Sequence, residues 1–202
     1  MGTKNLTTVI KNNEIKIAQY GQWDGYPGGQ GITILKFLLK TDLSNFSEKI
    51  NKCKFVDEEK AKEIQEFLKS IGSDDGWMTS SQGILYNERY KYFSRDHGAG
   101  ILELIDNSED DIIWLQDSSS FANNSLYCEY GYVIDLDNDT FEVYEGFNKM
   151  PLNDSERYIG NRQPDKNGYF PIKLIKIYDL NNLPTPDNFL KDFEEEDEEE
   201  DL

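Results

Sequence analysis

The stretch Gln22-Trp23-Asp24-Gly25-Tyr26-Pro27-Gly28-Gly29-Gln30-Gly31 concentrates side chains that can do chemistry. Asp24 can accept a proton, Gln30 can donate and accept hydrogen bonds, and Trp23 and Tyr26 offer broad faces for stacking or for a cation. Four glycines and a proline in ten residues suit a tight loop with backbone at positive φ. Trp23, Tyr26, Gly28, Gly29 and Gln30 are therefore the candidate binding residues. A second cluster, Ser94-Arg95-Asp96-His97-Gly98-Ala99-Gly100, contains the only histidine of the chain. His97 beside a carboxylate suits a general acid or base, with Asp96 holding its tautomer and Arg95 holding an anionic group. The structural alternative is that Asp96 or His97 caps the next helix while the glycines permit a turn. Asp24, Arg95, Asp96 and His97 are thus candidate catalytic residues, on the condition that the two segments meet in space.

Other chemistries find less support. Asp135-Leu136-Asp137-Asn138-Asp139 has the alternating acids of a calcium loop, but Thr140 stands where that loop needs Gly and Gly146 where it needs Glu, so a hairpin turn is expected. GxSxG, SxxK and HExxH are absent. Thr3 could serve as an N-terminal nucleophile only after Met1 and Gly2 were removed. Cys53 and Cys128 stand in unrelated contexts without CxxC or Cys/His clustering, which supports neither zinc nor a disulfide and suits a reducing cytoplasm. No cofactor and no metal are expected.

The elements that must position these loops follow from periodicity. Thr3 to Ile10 and Glu14 to Tyr20 alternate around Asn12-Asn13, the pattern of a β-hairpin. The apolar run from Ile32 to Leu39 predicts a buried helix starting near Gly31, whose free amides would favour an anion. Ser44–Cys53, Asp57–Ile71, Ile84–Phe93 and Ala99–Ile105 also read as helices, Asp57 as a cap. Ile112–Leu115 reads as a short strand, Leu126–Leu136 with Thr140–Tyr144 as a second hairpin, and Pro171–Tyr178 as a last strand. This order predicts an α+β domain with a mostly antiparallel sheet, built from N-terminal and C-terminal hairpins around a central helical segment. Pro184 and Pro186 mark its expected end, giving one domain over residues 1–186 and a disordered acidic tail over 187–202.

Charge restricts partners. The formal net charge is −18, and nine acidic residues with no basic one between Asp192 and Leu202 supply half of it. A nucleic-acid binder needs a basic footprint, so direct nucleic-acid binding is not expected, whereas a basic protein surface is a fitting partner. No apolar run approaches the roughly eighteen residues of a membrane span, so no membrane association is expected. The oligomeric state is left open. Aromatics at 13% against an apolar share of 37% predict a core of large rings.

Several segments together, namely Gly2-Thr3-Lys4-Asn5-Leu6, Gln19 to Pro27 with Gly29-Gln30-Gly31, Ser94-Arg95-Asp96 before Gly98-Ala99, Tyr132 to Asp137, Tyr169-Phe170-Pro171 and Leu183-Pro184, resemble a family of uncharacterised proteins from bacteria, their viruses and fungi. The resemblance spans nearly the whole body and implies that the body is one unit with the tail added to it. His97 stands where the family pattern implies a small polar residue. The family implies no settled activity, and two readings remain. One is an acidic interaction protein, an inhibitor or accessory factor of phage or mobile-element type that engages a basic surface such as the nucleic-acid channel of a nuclease. The other is a hydrolase-like enzyme using the two loops as its pocket.

Overall fold

The computed structural model describes residues 2–73, 77–160 and 163–194. Its centre is a five-stranded sheet whose strands lie in the order Glu14–Gly21, Asn5–Lys11, Tyr130–Asp135, Thr140–Glu145 and Lys173–Asp179. Strand β1 (Asn5–Lys11) and strand β2 (Glu14–Gly21) form the expected hairpin. Asn12 and Asn13 both turn it at φ near 56°, the left-handed pair that a two-residue hairpin loop requires and that asparagine tolerates. Strand β5 (Tyr130–Asp135) and strand β6 (Thr140–Glu145) make the second hairpin, and β7 (Lys173–Asp179) adds to β6. The hairpins join through a parallel pairing of β1 with β5; all other pairs in this sheet are antiparallel, so the α+β class with a mostly antiparallel sheet holds.

One face of the sheet carries the main core. Val9, Ile17, Tyr132, Ile134, Phe141 and Tyr178 meet α1 (Ile32–Lys40), α2 (Leu43–Lys49), α5 (Gly100–Asp106) and α6 (Pro186–Lys191). Its centre is aromatic, as the composition predicts: Phe141 stacks on Tyr132, Tyr178 and Phe189 with ring centroids 6.3, 5.9 and 6.0 Å apart. The other face, through Leu6, Ile10, Val133 and Tyr144, lies under a 3₁₀ segment (Ser119–Asn123) and the chain around Tyr158 and Ile172. Because both faces are covered, β1 reads as a run of buried residues instead of a clean alternation.

Helix α3 (Glu58–Ser70) starts as expected, with the Asp57 carboxylate accepting the Lys60 amide at 2.8 Å. Three expectations shift. The second helix, expected over Ser44–Cys53, ends before Cys53, which instead opens a strand, β3 (Cys53–Phe55), parallel to β4 (Ile113–Leu115). The helix expected over Ile84–Phe93 is instead α4 (Ser80–Arg89), started by a Thr79–Gln82 capping box that outweighs the later aromatics. Ile84 and Leu85 consequently sit on its exposed side.

The third concerns the predicted domain end. Pro186 opens α6, capped by Thr185, because proline suits a first helical turn as well as it suits a break. Phe189 enters the core completely, and Asp192 accepts from the Tyr178 hydroxyl at 2.8 Å and pairs with Lys176 at 3.0 Å. Residues 187–194 therefore belong to the folded body, which corrects the boundary at 186; the rest of the predicted tail lies outside the described residues, as do 74–76 of the expected loop after α3. Among the described residues no helix is long and apolar enough to cross a membrane.

Candidate functional site

The condition set by the sequence is met: the Trp23–Gly31 loop and the Arg95–His97 turn lie against each other. Gln22 N donates to Arg95 O at 3.3 Å, and Gln19 Nε2 donates to Ser94 O at 3.1 Å. Trp23 Nε1 donates to Asp96 Oδ1 at 3.1 Å. Gln30 spans both segments, its Nε2 donating to Trp23 O at 3.1 Å and its Oε1 accepting the Ala99 amide at 2.7 Å. Gly98 is at φ +49°, and a Cβ there would stand 2.6 Å from Gln30 Oε1, so the turn is shaped to receive this side chain.

The glycines act differently from the expectation. Within the loop the left-handed residue is Asp24, at φ 53°, and none of the four glycines is at positive φ. They are instead places of close approach. A Cβ on Gly29 would lie 2.1 Å from Asp24 O, and one on Gly25 would lie 2.8 Å from Thr3 O. The helical path also starts earlier than Gly31: Pro27–Gly31 is a π turn that continues into α1, again with proline at the start. Gly29 N donates to Tyr26 O and Gln30 N to Asp24 O, so these amides already serve the loop and do not form an anion cradle. Gly29→Ala is predicted to cost about 1–3 kcal/mol, since backbone and not a flexible side chain must give way; urea unfolding measures it, with Gly28→Ala, which meets only ordinary contacts beyond 3.5 Å, as the comparison expected to change little.

Taken one by one, the predicted catalytic groups have structural employment or stand in the open. His97 Nε2 lies 2.6 Å from Lys91 O, and because a carbonyl only accepts, that nitrogen carries the hydrogen. Asp96 receives the Trp23 indole and does not contact His97 in the tautomer-holding way the sequence suggests. Arg95 and Asp24 are exposed. Arg95 forms no ion pair among the described residues, though its charge reaches Tyr20, whose pKa burial raises and Arg95 lowers in part. Trp23 and Tyr26 are half exposed, at 50% and 45%, with the Trp23 ring lying over Gly2. Among the described residues, these four line none of five cavities of the fold. What the loops build is a surface: an exposed indole and phenol beside two carboxylates.

No family model, curated protein or solved structure matches the chain. Its function has to be read from its own geometry.

At the opposite end of β1 lies a charged cluster that the sequence reading missed. Arg157 Nη2 donates to Asp135 Oδ2 at 2.6 Å and to Glu142 Oε1 at 2.7 Å, and its Nε donates to Glu142 Oε2 at 3.0 Å. The Tyr144 hydroxyl donates to Glu142 Oε2 at 2.5 Å. Burial pushes Asp135 upward, but hydrogen bonds from Asn138 and Arg157 and from the amides of Asn138 and Asp137 outweigh it and hold this carboxyl below its ordinary range. Burial likewise raises the Tyr144 phenol, and its bond to Glu142 adds to the rise. The missed signal was Glu142 itself: alternation in Thr140–Glu145 places it on the same inward face as Tyr144, and a carboxylate there needs a cation. The acids at Asp135–Asp139 meanwhile form the expected turn, with Asp137 accepting the Asn12 and Asn13 amides at 2.8 and 2.7 Å and so locking the two hairpin ends together.

Proposed function

We infer that the protein is an acidic interaction protein, an inhibitor or accessory factor that docks on a basic protein surface. The observation that carries this reading is the fastened pair Trp23–Asp96: a half-exposed indole held at 3.1 Å beside a carboxylate, with Tyr26 and Asp24 in the same loop. An aromatic face rimmed by carboxylates fits lysine and arginine side chains, the face through cation–π attraction and the rim through charge. Exposed Trp and Tyr are also the residue types that dominate binding energy at interfaces. The net charge of −18 would steer such a partner in, faster at low salt. Met78, Ile84 and Leu85 are exposed as well. A nucleic-acid channel, rich in arginine and lysine, is a partner of the right chemistry.

The experiment is affinity capture with the full chain, the double variant Trp23→Ala/Tyr26→Ala, and a chain lacking residues 195–202, each at low and high salt. Loss of the two rings is expected to weaken capture of a basic partner about tenfold or more, and high salt is expected to weaken it in every form. Undiminished capture by the double variant would overturn the reading.

One observation favours the hydrolase-like reading: Asp24, Arg95 and Asp96 share one surface, with Arg95 free of ion pairs among the described residues. Asp24→Asn and Arg95→Ala, screened on amide, ester and phosphate substrates, separate the two; a substrate turned over by the wild type and not by either variant would favour the enzyme.

A further inference from the structure

Phe147 breaks two local rules at once. Among the described residues, the non-glycine positions at positive φ are Asn12, Asn13, Asp24 and Asp139, all of types that tolerate it, and Phe147, at φ 51°. Burial does not offset that strain, because Phe147 is 53% exposed. The surroundings hold the backbone in place. Phe147 N donates to Ser125 O at 2.7 Å, Gly146 N to Glu129 O at 2.8 Å and Asn148 N to Ser125 Oγ at 3.2 Å, while Asn148 Nδ2 donates to Pro171 O at 2.9 Å. A Cβ on Gly146 would stand 2.1 Å from Cys128 O, so this turn is pressed against the one over residues 124–128. A strained residue that is fixed so firmly and still left half in solvent points to a use outside the fold.

The two turns present more of the same chemistry. Tyr127 in the one and Met150 just after the other are also exposed, and aromatic rings and methionine are enriched at the centres of protein interfaces. The charges around them differ from those of the molecule. Lys4 Nζ lies 5.1 Å from the centre of the Tyr127 ring, and Lys4 N donates to Glu129 Oε1 at 3.0 Å. Lys149 lies between Phe147 and Met150, and Lys173 stands opposite Glu145 in the register of β6 with β7. Lysines therefore balance glutamates here, although the whole chain carries −18.

We propose that this face joins two copies of the chain about a twofold axis, with the Phe147 ring of each copy meeting Tyr127 and Met150 of the other. A twofold axis brings the same patch to itself, so lysines of one copy meet glutamates of the other. The fixed turn means that little freedom is lost when Phe147 is covered. A basic partner is disfavoured at this face by its lysines, and an anionic lipid surface by the net charge of the chain. Thr3 and Lys4 separate the face from the Trp23 loop, Thr3 O accepting from Gly25 N and Lys4 O from Glu129 N, so the proposal does not rest on how the Trp23 surface is used.

Sedimentation equilibrium of the full chain, from about 10 μM to about 1 mM at low and high salt, tests this. A reversible dimer is expected, and salt is expected to tighten it, because screening relieves the repulsion between two acidic bodies. Docking on a basic surface has the opposite salt dependence. Phe147→Asn, which accepts the same φ, is expected to weaken the dimer about tenfold or more. Lys149→Glu, which sets carboxylate against carboxylate across the axis, is expected to weaken it as well, and Trp23→Ala/Tyr26→Ala to leave it within about twofold. The amide spectrum of each variant shows that it is folded. The proposal is overturned by a chain that stays monomeric throughout, by a dimer that survives Phe147→Asn or Lys149→Glu undiminished, or by a monomer that binds phosphatidylcholine vesicles through Phe147.

Discussion

Arg157→Met is expected to destabilise the protein by about 3–5 kcal/mol, the range for leaving buried charge without its partner. Asp135 and Glu142 carry side-chain exposures of 1% and 9%, and one guanidinium serves both. Methionine keeps length and apolar contact but returns neither hydrogen bonds nor charge, so the loss comes from the carboxylates. The Arg157 side chain is 28% exposed, which places the value toward the lower part of that range. The pH dependence gives a sharper signature. In the wild type Asp135 is held below its ordinary value; a carboxyl depressed by folding adds stability above its unfolded pKa of about 3.9, and that stability disappears as pH falls through the folded value. In the variant the Arg157 bond is gone, while the Asn138 and Asp137 donors still oppose the upward push of burial, so Asp135 is depressed less. A smaller depression leaves less stability to lose on acidification. Urea unfolding at about pH 7 and about pH 3 is expected to show the wild type losing more stability than the variant at the lower pH, so that the gap between them narrows.

Phe189→Ala is expected to cost about 3–5 kcal/mol, as for other fully buried aromatic truncations. Its ring lies 6.0 Å from Phe141, 5.4 Å from Tyr178 and 5.0 Å from Phe193, and it closes over Gly31 at the start of α1. Removing it leaves a ring-sized void where the sheet meets α1, so the damage extends to the seating of the Trp23 loop. Lys191→Ala, on the exposed side of the same helix, is the comparison expected to stay within about 0.5 kcal/mol. Equal, small effects for both would show that α6 is not part of the cooperative core.

Local signals made the elements readable, and long-range ones hid the rest. Asn12-Asn13 announced a hairpin because few residues other than asparagine and glycine accept its left-handed pair. Asp57 announced a helix start because its carboxylate satisfies amides three residues away. The β1–β5 pairing, by contrast, joins residues 125 positions apart in register, and nothing in either strand names its partner. Pro186 reads as a stop because proline breaks helices, although it equally begins them; only the burial of Phe189 decides. In the candidate site the residue types were legible and the juxtaposition was a conjecture that the Gln30 and Trp23 hydrogen bonds resolve. Four glycines in one loop suggest positive φ, but crowding and not positive φ demands them here. Arg157 stayed hidden because its two carboxylates come from two different strands.

The most direct measurement of the docking surface is an NMR titration that follows the Trp23 indole N–H, fastened to Asp96, as an arginine-rich peptide is added. The account predicts that this resonance shifts, that the Trp114 indole does not, that salt weakens the effect, and that a glutamate-rich peptide of equal length leaves Trp23 unmoved. A Trp23 resonance that stays in place while the basic peptide binds elsewhere on the acidic surface would contradict it.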